Sequence, residues 1–443
     1  MAISGKNIVG EEAALPSSYR VSSIMMTSHD GSKSLDIQNI VVEMNLQESL
    51  YSNTLYFDFS IKESSALFET FPIIGQETIR LDLDYYEFEG ERKDLSLNFI
   101  VLDIPTYGKT QAQHSQVYKI QCISPEIYNS SFKKISRAFT SLTSSEIEKI
   151  YSQDLDIQLE TSGSCVSKSK GVIPWQYPIR AAEWLRTQSF DDKFSPFFLY
   201  QTISGSHYLS SLTSLFNKEV YEEFFDSSDY NKAPLSKEDY TQRKQRMMEI
   251  SSDMKMQKVN QSMEGVFASR NGYLDWATKT YSETVYNYEN DYNTDTNFQN
   301  KKMLSKSFQV NGKVLSDHPD SHREHVSINT MPFSTTASDN SITSEANCSS
   351  LHQKAKHYLN AYNGALNTNV HDITVSGDFN MNPGTVIQLN FQRSVDPSVA
   401  ENDELFDRHL SGKFLVISAM HKFKDNEYFT SIRVKRDGFE IDV

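Results

Sequence analysis

HDITVSGDFNMNPGTVIQLNF, residues 371–391, alternates apolar and polar residues on either side of a Pro-Gly turn. A second alternating block, GKFLVISAMHKF, begins at Gly412, and a third, EYFTSIRVKRDGF, occupies residues 427–439. Period-two alternation marks strands with one buried face, and Pro-Gly is turn chemistry. Three such strands so close together predict a small antiparallel barrel that carries no obvious catalytic group.

The same pattern recurs near the other end of the chain. In TLYFDFSIK, Leu55, Phe57, Phe59 and Ile61 share one face, opposite Tyr56, Asp58, Ser60 and Lys62. In TIRLDLDYY, Ile79, Leu81, Leu83 and Tyr85 oppose Arg80, Asp82 and Asp84, and in NIVVEMNL the inward set is Ile40, Val42, Met44 and Leu46. SLNFIVLDI and QVYKIQCIS read as two further strands joined by the loop GKTQAQHS. Residues 1–125 are therefore expected to form an N-terminal barrel, and residues 350–443 a helix, LHQKAKHYLNAYNGAL, followed by a second barrel.

Between them the period changes. SSEIEKIYSQ has serines suited to an N-cap, and PIRAAEWLRTQSF places Pro178 at a helix start with Ile179, Ala182 and Leu185 on one stripe. With the strand–turn–strand segment SPFFLYQTISGSHYLSSLTSLF they define an α+β insert over 126–216. Residues 217–349 are more polar. KEDYTQRKQRMMEISSDMKMQK reads as a solvated helix or long loop, GVFASRNGYLDWATKTYSETVYNY as a strand feeding a helix or arm, and 311–348 as a mobile loop. The expected class is α+β and β-rich: two antiparallel β-barrel domains with mixed α/β insertions.

Composition narrows the function. The net charge is −15 with pI near 5.2, which argues against a protein that grips nucleic-acid phosphates. The three cysteines, Cys122, Cys165 and Cys348, form no CxxC pair, so neither a disulfide framework nor a zinc knuckle is indicated. The first residues lack a basic start and an apolar run, and no stretch approaches a membrane span, so folding in a cytoplasm is expected.

No catalytic constellation emerges. HPDSHREH brings His318, His322 and His325 within eight residues, yet the surrounding Ser/Asn-rich sequence offers no scaffold for metal geometry, and the expectation is no metal. There is no GxSxG elbow and no phosphate-binding glycine loop, and in so acidic a chain no pair of carboxylates stands out. The aromatic stretches FFLYQTISGSHYL and ETVYNYENDYNTDTNF admit a carbohydrate- or base-stacking reading, but core packing and subunit contact are the favoured account. The expected site list is empty: no catalytic residue, no cofactor, no metal.

GDFNMNPGTVIQLNF followed by LSGKFLVISAMHKFKDNEYFTSIRVKRDG resembles the closing barrel of baseplate central hub proteins of contractile-tail bacteriophages. Gly377, Asp378, Pro383, Gly384, Ser411, Gly412, His421, Arg436 and Asp437 carry the match. PIRAAEWLRTQSF with FFLYQTISGSHYLSSLTSLF is similar to the family's insert, and NGYLDWATKTYSETVYNY to the segment before its second barrel. The hub half of type VI secretion spike proteins is similar too, though those chains continue into a spike. This chain stops soon after its barrel, so the spike is expected to be a separate polypeptide. The resemblance implies a non-enzymatic homotrimeric ring in the virion baseplate, assembled in the host cytoplasm. Its partners would be a trimeric central spike protein, the tail tube protein and other baseplate proteins, with DNA passing through without specific binding. The rival reading is a tail-associated cell-wall hydrolase or carbohydrate-binding module.

Overall fold

The computed structural model of the chain describes residues 19–438 except 66, 72, 87–91, 111–114, 227–243, 255–256, 276–278, 293–297, 299–303, 305–306, 328–343, 393–405, 408 and 425–426. The N-terminal strands are β1 (Tyr19–Thr27), β2 (Ser34–Asp36), β3 (Val41–Ser49), β4 (Tyr56–Glu63), β5 (Thr78–Tyr86), β6 (Arg92–Thr110) and β7 (Ser115–Ile123). Their alternation follows the sequence: Phe57, Phe59 and Ile61 of β4 and Ile79, Leu81 and Leu83 of β5 are buried in one core. β3 departs from it at one point. A bulge between Val41 and Glu43 puts Val41 in the core in place of Val42; Ile40, just before the strand, packs against that core as expected, and Met44 and Leu46 resume the expected face.

The insert holds β8 (Ala138–Leu142), β9 (Leu159–Ser162), β10 (Lys168–Val172), β11 (Phe197–Gln201) and β12 (His207–Ser211), with helices Thr143–Lys149 and Pro178–Arg186. β8 pairs β10, and β9, β12 and β11 form a second small sheet. Ile147, Ile150, Ile179, Ala182 and Leu185 are all buried in the insert's own core. All five residues of β11 are buried because the strand separates two cores: Phe197 and Leu199 face the insert, while Phe198 and Tyr200 face a second aromatic core.

The polar region contributes more regular structure than its sequence suggests. β13 (Val220–Phe225) and β14 (Glu249–Met254) join the main sheet. β15 (Ala268–Asp275), β16 (Thr280–Asn287), the short hairpin β17 (Gln309–Val310) and β18 (Lys313–Val314), and β19 (Arg323–Ser327) follow. β14 takes residues 249–254 of the stretch 237–258 expected as a solvated helix or long loop, of which 237–243 and 255–256 lie outside the described residues. It looks helical or disordered in sequence because it lies at the end of the sheet, where both of its faces meet solvent and no alternation is required. The stretch 311–348, expected as a mobile loop, includes β18, β19 and the start of the helix Ser344–Leu366; its residues 328–343 lie outside the described residues. β19 pairs in parallel with β15, through a backbone ladder that requires no apolar period in the sequence.

The last strands are β20 (Asn369–Ser376), β21 (Val386–Asn390), β22 (Gly412–Lys424) and β23 (Glu427–Arg436). The two expected barrels are in fact one 13-stranded sheet, β14-β20-β23-β22-β3-β4-β7-β6-β5-β1-β2, with β21 on β22 and β13 on β21. Among the described residues this sheet is open. It wraps two separate apolar cores, one built mainly by β1 to β7 and the other by β20 to β23 with Phe224 and Met247. The joint is β22, whose 13 residues pair with β21 in their first part and with β3 from Ser418 onward. Leu50 N–H donates to Ile417 O at 2.8 Å at the handover, beside a bulge against β23 between Val416 and Ser418. One strand long enough to serve both halves removes two exposed edges that separate open sheets would carry.

Candidate assembly site

Where β3 meets β22, an acid and an imidazole are buried together. Glu48 continues the inward face of Met44 and Leu46, and His421 lies between Ala419 and Phe423 on the inward face of β22. Glu48 Oε1 is 3.4 Å from His421 Nε2, and Glu48 Oε2 accepts the Ile203 N–H of the β11–β12 turn at 2.8 Å. His421 Nδ1 is 2.9 Å from the Tyr428 hydroxyl, and Phe379 stacks on the imidazole at 5.5 Å. Burial pushes the Glu48 carboxyl up, and its His421 partner opposes that shift. Gln201 Oε1 nearby accepts from Leu55 N–H at 3.1 Å and Ser124 Oγ at 2.8 Å. The insert is thus keyed to the sheet by directional bonds from three chain regions, which fix orientation in a way that apolar contact alone does not. Glu48 was not singled out by its sequence. The available signal was an acid in phase with the apolar set of a strand.

The residues that carry the family resemblance have packing roles. Gly377 lies against the Tyr428 ring so closely that an added Cβ would be 2.1 Å from it. Asp378 accepts from Asn380 N–H, faces Lys244 Nζ at 3.2 Å and accepts from the Tyr221 hydroxyl at 3.0 Å, tying the β20–β21 turn to β13. After Pro383, Gly384 adopts φ +81° under Tyr200 and Leu215, a left-handed turn pressed against the insert. Ser411 Oγ accepts Phe391 N–H, and Ser411 O accepts from buried Arg436 Nη1 at 2.7 Å, beside Gly412. Asp437 is buried next to Arg436, and desolvation raises its carboxyl to about 7. These groups hold strands and turns together, and the hydrogen bonds cited run within the chain; Asp437 Oδ1 has no partner among the described residues.

His318 Nε2 bonds the Val310 carbonyl at 3.0 Å and His322 Nδ1 the Met263 carbonyl at 2.8 Å. His325 stands on β19 opposite Gly272, and its side chain lies outside the described residues. Among the described residues no three His, Cys, Asp or Glu side chains are gathered as a metal centre requires. The aromatic stretches are inside: Tyr200, Tyr286, Tyr288 and Tyr292 are buried in the core that also receives Tyr362 of the helix Ser344–Leu366. On the polar side of the N-terminal strands, Asp58 pairs with Lys119 at 2.7 Å, Asp82 with Arg80 at 3.0 Å, and Asp84 accepts from Ser22.

No family model matches the chain, and no curated protein matches it in sequence. Solved structures do. The 43 kDa tail protein of prophage MuSo2 from Shewanella oneidensis superposes with TM-score 0.50 at 12% identity, over 95% of this chain and 100% of that one. A tail protein from Neisseria meningitidis MC58 gives TM-score 0.50 at 11% identity, over 95% of this chain and 97% of that one. A looser match, with TM-score 0.41 at 8% identity, is an Escherichia coli type VI secretion component, over 91% of this chain and 76% of that one. At such identities the likeness is one of fold, and the fold of this chain, over 95% of its length, is shared with the two tail proteins.

Proposed function

We propose that this chain is a structural baseplate-hub subunit of a contractile phage tail. Three copies form a ring that adapts the six-fold tail tube to a separately encoded trimeric spike, with other baseplate proteins around it. The observation that carries the reading is the sheet built from both ends of the chain around two cores, in a fold shared end to end with phage tail proteins. Two sheet halves per chain, taken three times, supply six units for a six-fold tube and keep a three-fold face for a spike. The role is mechanical rather than catalytic. DNA passes through a channel whose wall is neutral to negative, so that phosphates are not held.

Electron microscopy of the purified chain, alone and with its spike protein, tests this. The expected image is a three-fold ring with a central opening and six peripheral masses. Particles that stay monomeric under both conditions, or protein that clears peptidoglycan in a zymogram, would refute it.

A further inference from the structure

The insert presents an aromatic and basic surface that nothing in the preceding description uses. Residues 132–138 run antiparallel to 172–177: Ile135 and Gln176 exchange backbone hydrogen bonds at 2.8 and 3.1 Å, and Val172 pairs with Ala138. Three large apolar side chains on these segments face outward: Phe132 is 75% exposed, Trp175 67% and Val172 54%. Lys134 and Arg180 lie over the Tyr177 ring at 5.2 and 5.9 Å.

Trp175 is the least expected of these. Its backbone is left-handed at φ +49°, a strained conformation for a bulky residue. A turn over Pro174, with Trp175 N–H donating to Ile173 O at 3.1 Å, and the Ile135–Gln176 bridge hold it there. The strain is maintained although the indole is left in water, which is the pattern of a residue positioned to make a contact.

The charge distribution says what kind of contact. Residues 126–137 and 168–180 carry six Lys or Arg against one Glu, of the chain's 43 and 58, leaving 37 basic against 57 acidic elsewhere. Lys133 and Arg137 are tied to Asp154, whereas Lys134 and Arg180 remain exposed at the surface. Two copies of a chain with net charge −15 repel each other over most of their surface. The basic patch reverses that repulsion, and only when it meets the acidic part of another copy. A two-fold contact that placed patch on patch would repel.

We infer that the surface formed by Phe132, Lys134, Val172, Trp175 and Arg180 is a head-to-tail contact with a second copy of this chain, the heterologous kind that closes rings rather than two-fold dimers. This rests on the ring-subunit reading above and adds the surface that drives it.

Sedimentation equilibrium of the full chain at rising salt provides the test. Two variants are compared: Trp175→Asn, which keeps a residue tolerant of left-handed backbone, and the pair Lys134→Glu with Arg180→Glu. Unchanged melting curves establish that they fold. The expected result is a trimer whose association constant falls as salt rises, and falls at least tenfold in each variant. Benzoylphenylalanine in place of Trp175 should photocrosslink copy to copy, on a segment bearing Asp or Glu. A trimer indifferent to both variants, with crosslinks confined within one chain, overturns the patch and leaves the ring reading intact. A two-fold dimer joined through this patch also overturns it. A monomer at every concentration, with and without the spike protein, removes both.

Discussion

Gly377→Ala would test whether the residues that resemble the hub family are there for packing. The new Cβ would stand 2.1 Å from Cδ1, 2.3 Å from Cγ and 2.5 Å from Cε1 of Tyr428. Carbon atoms pack at about 3.5–4.0 Å, so the ring must retreat by more than about 1 Å. It has nowhere to go. Phe423 stacks on it at 4.5 Å, Phe379 lies at 4.7 Å, Tyr19 at 5.9 Å, and the hydroxyl is bonded to His421 Nδ1. Overpacking of this kind costs about 1–3 kcal/mol, and stretching the buried Tyr428–His421 bond adds about 1 kcal/mol. The expected loss is about 3 kcal/mol, read as a fall in the urea midpoint. Gly205→Ala is the control: its φ is +83° but nothing lies within 4 Å of the added Cβ, so the cost is the backbone penalty of about 1 kcal/mol. Tyr428→Leu combined with Gly377→Ala should cost less than the sum of the two single changes, because the smaller side chain vacates the clash. If Gly377→Ala and Gly205→Ala destabilise equally, the close approach is not what Gly377 is for.

Acidification should destabilise the fold through three imidazoles, on β12, on the helix Ser344–Leu366 and on β20. Burial lowers His207, His357 and His371 to about 4, so their stability contribution is full above about 6.5, the unfolded value, and lost as pH falls toward 4. Asp437 acts in the opposite sense, its contribution being greatest below the unfolded value and lost as pH rises to about 7. NMR titration should find the three rings neutral at pH 5.5, and midpoints near 6.5 would contradict their burial. Tyr292→Phe should raise stability by about 1 kcal/mol, since the buried hydroxyl has no hydrogen-bond partner among the described residues; a comparable loss, measured by urea unfolding, would reveal a partner. Dialysis against zinc should leave well under one metal per chain, and stoichiometric zinc that disappears in His318→Ala would overturn the carbonyl-bonded reading of that histidine.

Strand identity was decided locally. Alternation in 54–62, 78–86 and 412–436 is enough to say which residues turn inward, because the pleat has a period of two whatever the strand pairs with. The helix stripes at Ile147, Ile150, Ala182 and Leu185 were legible for the same reason. Edges were not. β14 needs no apolar face, so nothing in EISSDM distinguishes it from a solvated loop. The bulge at Val42, which exchanges the inward residue, depends on the register with β4 and leaves no mark in the period. Pairing between distant segments was likewise beyond the sequence. That β22 joins β3, turning two expected barrels into one sheet, depends on which edges remain unsatisfied after each half has folded around its own core. The meeting of Glu48, His421 and Ile203 follows from that joint and from nothing nearer in the chain. Local chemistry set the faces of the strands; only the closure of long-range hydrogen bonds and the packing of four cores decided which strands became neighbours.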